Sequence, residues 1–350
     1  MDKNTYQGEL LNLQDVMKNV ANTPFSIFAK VTVLMVLNMR YEKIAFNKEL
    51  SVHPYILTRD IIKDAGAHFL AWMETAFIEG ENRDLGVLKS SKKEEKHHDL
   101  FNKMWDKYGE KEYEEYIKRY MHRLQVNHLQ ELIRDRKCID FGCGNGNFCF
   151  ALLRCGAAFV AGVDFGENSV AFAQEYSENQ GWQGRSKFHV ATVYDTGFAD
   201  NEFDFAIQNG VFHHLEDEER AIGEVCRVLK QGGWFWYYTT GAGSISRELW
   251  DVSIDILKDV PSEMVAAILE MMNVSRNKIV HLTDGLNATY TATTWEAITA
   301  RLAAAGFGNF RRLTGGFDTD FDLDRIESDP YGREKFGAGD LRILAQLVEK

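Results

Sequence analysis

The feature that most constrains the fold is a short apolar run, Cys138-Ile139-Asp140-Phe141, that breaks into Gly142-Cys143-Gly144-Asn145-Gly146 and resumes as the helix-like Phe148–Arg154. Such a tight strand-to-helix turn needs glycine, because its backbone must adopt positive φ or approach another group closely. The first N–H groups of the next helix face whatever lies across the turn. The pattern then repeats. Apolar runs at Phe159–Val163 (ending in Asp164), Lys187–Ala191, Phe203–Gln208 and Gly233–Thr239 alternate with helical stretches at Ser169–Asn179 and Glu216–Leu229. Strands and helices alternating at this size specify a parallel sheet with helices on both faces. The class is α/β, doubly wound.

The rest of the chain is organised around that core. Leu57, Ile61, Ala65, Phe69, Met73 and Phe77 recur every fourth residue, with Ile62 and Leu70 beside them, so the first stretch is helical with one apolar face. The run Val31–Met39 is too short to span a bilayer and is expected to be a buried helix. The polar stretch Lys89–Asp99 reads as a solvated linker or the start of a helix, and 100–134 is helical again. We therefore divide the chain into a helical N-terminal region, 1–95, expected to act as a lid or a dimer interface, and a domain at 96–350. Alternation stops between Thr240 and Thr291, where two or three helices form a cap insertion, 241–290. Trp295–Ala305 is a helix capped by Gly306, and Phe310–Thr314 and Leu341–Val348 are two closing strands joined by a loop from Gly315 to Gly339.

Composition excludes some function classes. A net charge of −12 argues against a nucleic-acid partner, since proteins that track phosphate backbones carry basic surfaces. The start MDKNTYQGEL lacks a basic region followed by an apolar stretch, so no secretory signal, no membrane partner and a cytoplasmic location are expected. The cysteines Cys138, Cys143, Cys149, Cys155 and Cys226 form no CxxC pair, and we expect free thiols and no metal site.

The spacing Asp140-x-Gly142-x-Gly144-x-Gly146, the acidic Asp164 closing the second strand, the segment Asn209-Gly-Val-Phe-His213-His214-Leu-Glu-Asp after the fourth, and Arg227-Val-Leu-Lys-Gln-Gly-Gly233 before the fifth resemble the motifs of class I S-adenosylmethionine (SAM)-dependent methyltransferases. The resemblance covers about 135–240 well and 291–350 more loosely. It implies a seven-stranded, mostly parallel Rossmann-like sheet with SAM as cofactor. It also implies that Asp140, Phe141, Gly142, Cys143, Gly144 and Gly146 lie along the cofactor. Asp164 would take the ribose hydroxyls, Phe165 would pack on adenine, and Asn209 would complete the site. Where the family often has an acidic residue for the adenine amino group, this chain has Thr192 followed by Val193, with Asp195 nearby.

In methyl transfer the cofactor supplies the electrophile, and the protein positions the acceptor and removes a proton where one must leave. His213 and His214, at the carboxyl end of the fourth strand, are the candidate bases. A small-molecule acceptor is expected: no Asn/Asp-Pro-Pro-Tyr/Phe segment follows the fourth strand and no Pro-Cys nucleophile is present. The insertion offers Arg247, Trp250, His281, Asp284 and Tyr290 as acceptor contacts. The arrangement expected from these readings is a pocket walled by the insertion and the N-terminal helices, with His213 at its floor. A protein or lipid acceptor, a non-catalytic SAM-binding scaffold and a nicotinamide dehydrogenase are the alternatives, the last disfavoured by the glycine spacing.

Overall fold

A computed structural model describes residues 2–76, 110–288 and 290–350. In chain order the elements are α1 (Asn4–Asn19), α2 (Pro24–Ala45), α3 (Pro54–Ala76), α4 (Glu110–Val126), α5 (Gln130–Ile133), β1 (Lys137–Phe141), α6 (Asn147–Arg154), β2 (Phe159–Asp164), α7 (Glu167–Asn179), β3 (Ser186–Val190), β4 (Phe203–Asn209), α8 (Glu218–Val228), β5 (Leu229–Thr240), α9 (Ile245–Leu257), α10 (Ser262–Met271), α11 (Arg276–Asn287), α12 (Trp295–Ala304), β6 (Phe307–Arg312), α13 (Leu323–Ser328), α14 (Gly332–Phe336) and β7 (Asp340–Leu347). They fall into two compact units. One is made of the N-terminal helices with Gly243–Ala288 and Asp324–Gly337; the other is made of the remaining described residues.

The second unit is the sheet. Its seven strands run in the order β3-β2-β1-β4-β5-β7-β6, with β7 antiparallel to both neighbours and the other pairings parallel. The central strands are buried on both faces, which is why they read as unbroken apolar runs. One face packs on Phe148, Phe150 and Leu152 of α6, with Ile117 and Leu124 of α4 in the same cluster. The other packs on Ile222 and Val225 of α8 and Ile298 and Leu302 of α12. The chain leaves β1 toward β2 on one side and takes up β4 on the other. In open α/β sheets the crevice at such a reversal, beyond the carboxyl ends of the strands, is where ligands bind.

The first unit is helical. Its core includes Tyr6, Leu10 and Leu13 of α1 and Ile61, Ala65, Phe69 and Met73 of α3. Two carboxylates of α9 hold α1: Glu248 accepts hydrogen bonds from Lys3, Tyr6 and Gln7, and Asp255 from Gln14 and Lys18. Lys335 of α14 is fully buried, paired with Asp329 at 2.7 Å and donating to the Asn47 carbonyl.

Several expectations change. Leu70 lies off the α3 stripe and is 45% exposed, and Leu57 is only half-buried; Phe77 is outside the described residues, as are the linker Lys89–Asp99 and the apolar residues Phe101–Tyr108. The Val31–Met39 run is helical but not wholly buried, since Val36 and Met39 face solvent. The sixth strand starts at Phe307, directly after the Gly306 cap, rather than at Phe310, and ends at Arg312. The expected 315–339 loop contains α13 and α14. Among the described residues no helix is long and apolar enough to cross a membrane.

Candidate active site

The carboxyl ends of β1, β2, β4 and β5 bring the sequence-selected residues of the second unit together. Gly142, Gly144 and Gly146 have φ of 74°, 50° and 80°. Sterics add a second requirement at two of them. A Cβ on Gly142 would lie 2.5 Å from Val211 Cγ2, and one on Gly146 would lie 2.8 Å from the Phe150 ring. The glycine turn is thus pressed against both the post-β4 segment and α6.

Asp164, at the end of β2, is fixed from two sides. Its Oδ2 accepts from the Gly144 N–H and its Oδ1 from the Gly166 N–H, each at 2.8 Å. Replacing Asp164 with alanine should therefore weaken cofactor binding by ~1–3 kcal/mol, the scale of a hydrogen bond to a charged group, while Gly144 loses its anchor. Titration calorimetry checks this; an unchanged dissociation constant would place the ribose elsewhere. Phe165 next to it keeps about half of its side chain exposed, at 49%. Thr192 closes a tight turn with Asp195, and the Val193 side chain is buried in the sheet core, so only its main chain is available to a ligand. The same holds for Phe141, which is fully buried edge-on to Phe212.

Asp140 is 3% exposed, and Cys149 Sγ donates to its Oδ2 at 3.6 Å. Burial, reinforced by the charge of Asp164, pushes its carboxyl up to about 7, against the opposing pull of the Cys149 bond. Cys143 is buried in the turn, and all five cysteines are free. Among the described residues no group of three His, Cys, Asp or Glu side chains could hold a metal ion.

The Asn209 side chain is held between two aromatic residues. Its Nδ2 donates to the Tyr120 hydroxyl at 3.4 Å, and its Oδ1 accepts from Trp236 Nε1 at 3.3 Å. The histidines follow in the 3-10 turn Phe212–His214. His213 is buried, with Nδ1 3.4 Å from Thr239 Oγ1. Its ring lies 4.2 Å from that of His214 and 4.4 Å from that of Tyr290, whose hydroxyl bonds the Thr240 hydroxyl. Tyr290, selected as part of the insertion, thus sits with both candidate bases. Arg247, Trp250, His281 and Asp284 belong to the helical unit, on α9 and α11. There Trp250 stacks on His281 at 4.5 Å and Arg247 pairs with Asp251 at 2.6 Å; Asp284 is 8% exposed.

Three site-shaping residues escaped the sequence reading. Gln208, fully buried, accepts from Val211 N and Phe212 N and donates to the Tyr238 carbonyl, so it holds the turn that carries His213. Tyr113 of α4 donates to the Asn145 carbonyl inside the glycine turn, and Tyr120 reaches Asn209. The tyrosines carried a signal, a Tyr113–Tyr120 spacing that puts both on one helix face. It reads equally well as core.

The family description "Methyltransferase domain" matches residues 139–237. Squalene methyltransferase 1 of Botryococcus braunii is 31% identical over 118 residues, 34% of this chain and 31% of that protein. A sterol 24-C-methyltransferase of Neurospora crassa is 33% identical over 107 residues, 30% of this chain and 28% of that protein. Ajmaline N-methyltransferase of Rauvolfia serpentina is 28% identical over 99 residues, 28% of this chain and 34% of that protein.

Residues 139–237 of the chain carry a methyltransferase domain.

The matches span about a third of the length of each of these relatives. The family match at 139–237 includes the glycine turn, Asp164 and His213. The residues present fit SAM. The turn runs as glycine at 142 and 146, where Val211 and Phe150 leave no room for a Cβ, so its backbone is bare of side chains there. Asn145 in the turn and Asn147 at the start of α6 each bury a side-chain oxygen without a hydrogen-bond partner. Buried acceptors are rarely left so without a reason, and a ligand or water that reorders the turn is one.

Proposed function

We propose that this chain is an enzyme that transfers the methyl group of SAM to an O, N or C atom of a small-molecule acceptor. The observation that carries the reading is the His213–His214–Tyr290 cluster, with His213 buried, placed beside the glycine turn through Val211. Asp164 would hold the ribose, Phe165 would cover the adenine, and the glycine turn with Asp140 would line the methionine portion. SAM supplies a methyl group on a positively charged sulfur, so the protein's work is to orient the acceptor, exclude water and accept a proton.

His213 suits the proton's part. In the tautomer that donates Nδ1–H to Thr239 Oγ1, Nε2 is the ring nitrogen that can accept a proton. It receives the proton of an O–H or N–H acceptor; a carbon acceptor would use the same enclosure without that transfer at the start. The relatives named for squalene, a sterol and ajmaline support an organic acceptor rather than a protein one.

The test is incubation of the protein with methyl-labelled SAM and separate small-molecule and protein fractions of a cell extract. Label in the small-molecule fraction is the expected result. Label confined to protein overturns the acceptor class, and SAM binding without any transfer overturns the enzymatic reading.

A further inference from the structure

We propose that the exposed stripe of α2 is a self-association surface on which a second copy of this chain docks, the two α2 helices running antiparallel about a twofold axis. The inference concerns the helical unit alone and is independent of the SAM reading above.

The helical unit is built around α2. Helices α3, α9 and α10 pack on it, and Val31, Val33, Leu34, Met35, Leu37 and Tyr41 are buried there. Its remaining side is apolar too. Phe25, Phe28, Val36 and Met39, with Phe46 at the C-cap, are between 37% and 48% exposed. Together with Thr32 and Lys43 they recur at three- and four-residue spacing. At about 100° per residue, that spacing holds all of them within about 40° of one line along the helix. A helix apolar on every side belongs in the interior of an assembly.

The size of the stripe suits a second copy. Whole aromatic side chains present ~150–250 Å², so the exposed parts of these residues amount to roughly 400–500 Å² per copy. A pair would cover about twice that, and the flanking Arg40, Glu42 and Lys43 carry the total past the ~1,000 Å² at which specific interfaces begin.

The pattern is also close to self-complementary. Phe25 and Phe46, Phe28 and Lys43, and Thr32 and Met39 are equidistant from a point between Met35 and Val36. An antiparallel copy centred there sets Phe25 against the partner's Phe46. It sets Phe28 against the partner's Lys43, whose ammonium an aromatic face attracts. Twofold contacts are reciprocal in this way. Charge argues against a lipid surface. The flanking Arg40 and Glu42 are engaged with Asp64 and Lys278, so the rim carries paired charges of both signs rather than the basic cluster that anionic headgroups attract.

The experiment is sedimentation equilibrium of the full chain over a concentration series, where a monomer–dimer equilibrium is expected. Val36→Glu places two carboxylates beside the axis and should raise the dimer dissociation constant ~100-fold or more. Val36→Leu should leave it within about 3-fold, as should Leu11→Glu at an exposed position of α1. Cross-linking tests the register without a charge in the interface. Through a short thiol-specific linker, Val36→Cys should join to its own copy. Phe25→Cys should not, because its two copies would stand ~30 Å apart at ~1.5 Å per residue; the wild-type chain gives the background from its own cysteines. A chain that stays monomeric, a dimer that survives Val36→Glu, or linking at position 25 and not at 36 overturns the proposal. So does a monomer that binds phosphatidylcholine vesicles and loses them in Val36→Glu, which would make the stripe a lipid contact.

Discussion

Replacing Gly142 with alanine should raise the SAM dissociation constant ~30- to ~1,000-fold and lower the Tm of the apo protein. Two costs combine. The position has φ of 74°, where an L side chain loses about 1 kcal/mol or more. The new Cβ would also sit 2.5 Å from Val211 Cγ2 and 2.9 Å from Cγ1, and overpacking of that kind costs ~1–3 kcal/mol. Together they reach about 2–4 kcal/mol, at about 1.4 kcal/mol per factor of ten. The turn can escape only by moving off the cofactor surface or by displacing the segment that carries His213. A second substitution separates the terms. Val211→Ala in the Gly142→Ala background removes both Cγ contacts but not the backbone cost, so part of the affinity should return. If the double variant is no better than the single one, the Val211 contact is not the cause.

The residues behind that prediction show what the sequence could reveal. Gly142 was legible because a strand that stops at glycine and restarts as a helix leaves few alternatives. The alternation of β1 to β5 with helices was legible because strands buried on both faces are apolar throughout. Val211 was not legible as the partner of Gly142, since they are neighbours only through the β1–β4 pairing. Gln208 was missed for a similar reason. A glutamine in a strand reads as exposed, yet this one is fully buried and spends its amide on one turn and one neighbouring strand. The helices α13 and α14 were missed because they are short and follow sequence rich in glycine, aspartate and proline. Tyr331, at φ 111°, starts the second of them from a conformation no propensity rule would assign to tyrosine. Asn209 was selected for its place at the end of β4, and its side chain bonds Tyr120 and Trp236.

His213→Ala should lower turnover ~10²- to ~10⁴-fold, the usual contribution of a positioned acid or base, and leave SAM affinity within about 3-fold. The acceptor identified by the labelling experiment serves as substrate. The reasoning is positional. His213 touches Thr239, His214 and Tyr290, whereas the proposed cofactor residues are Asp164 and the glycine turn. Because the ring is buried, alanine leaves a cavity, and His213→Asn provides the control of similar size. A loss of SAM affinity matching the loss of turnover would make His213 structural. Normal turnover in both variants would move the base elsewhere or show that none is required.

The central claim is that the turn Gly142–Gly146 with Asp164 binds SAM. Titration calorimetry of the full chain with SAM, S-adenosylhomocysteine and NAD tests it most directly. One SAM per chain, bound at a micromolar-scale dissociation constant, with S-adenosylhomocysteine competing and NAD giving no heat, is the predicted result. Binding of NAD without either sulfur compound would contradict it.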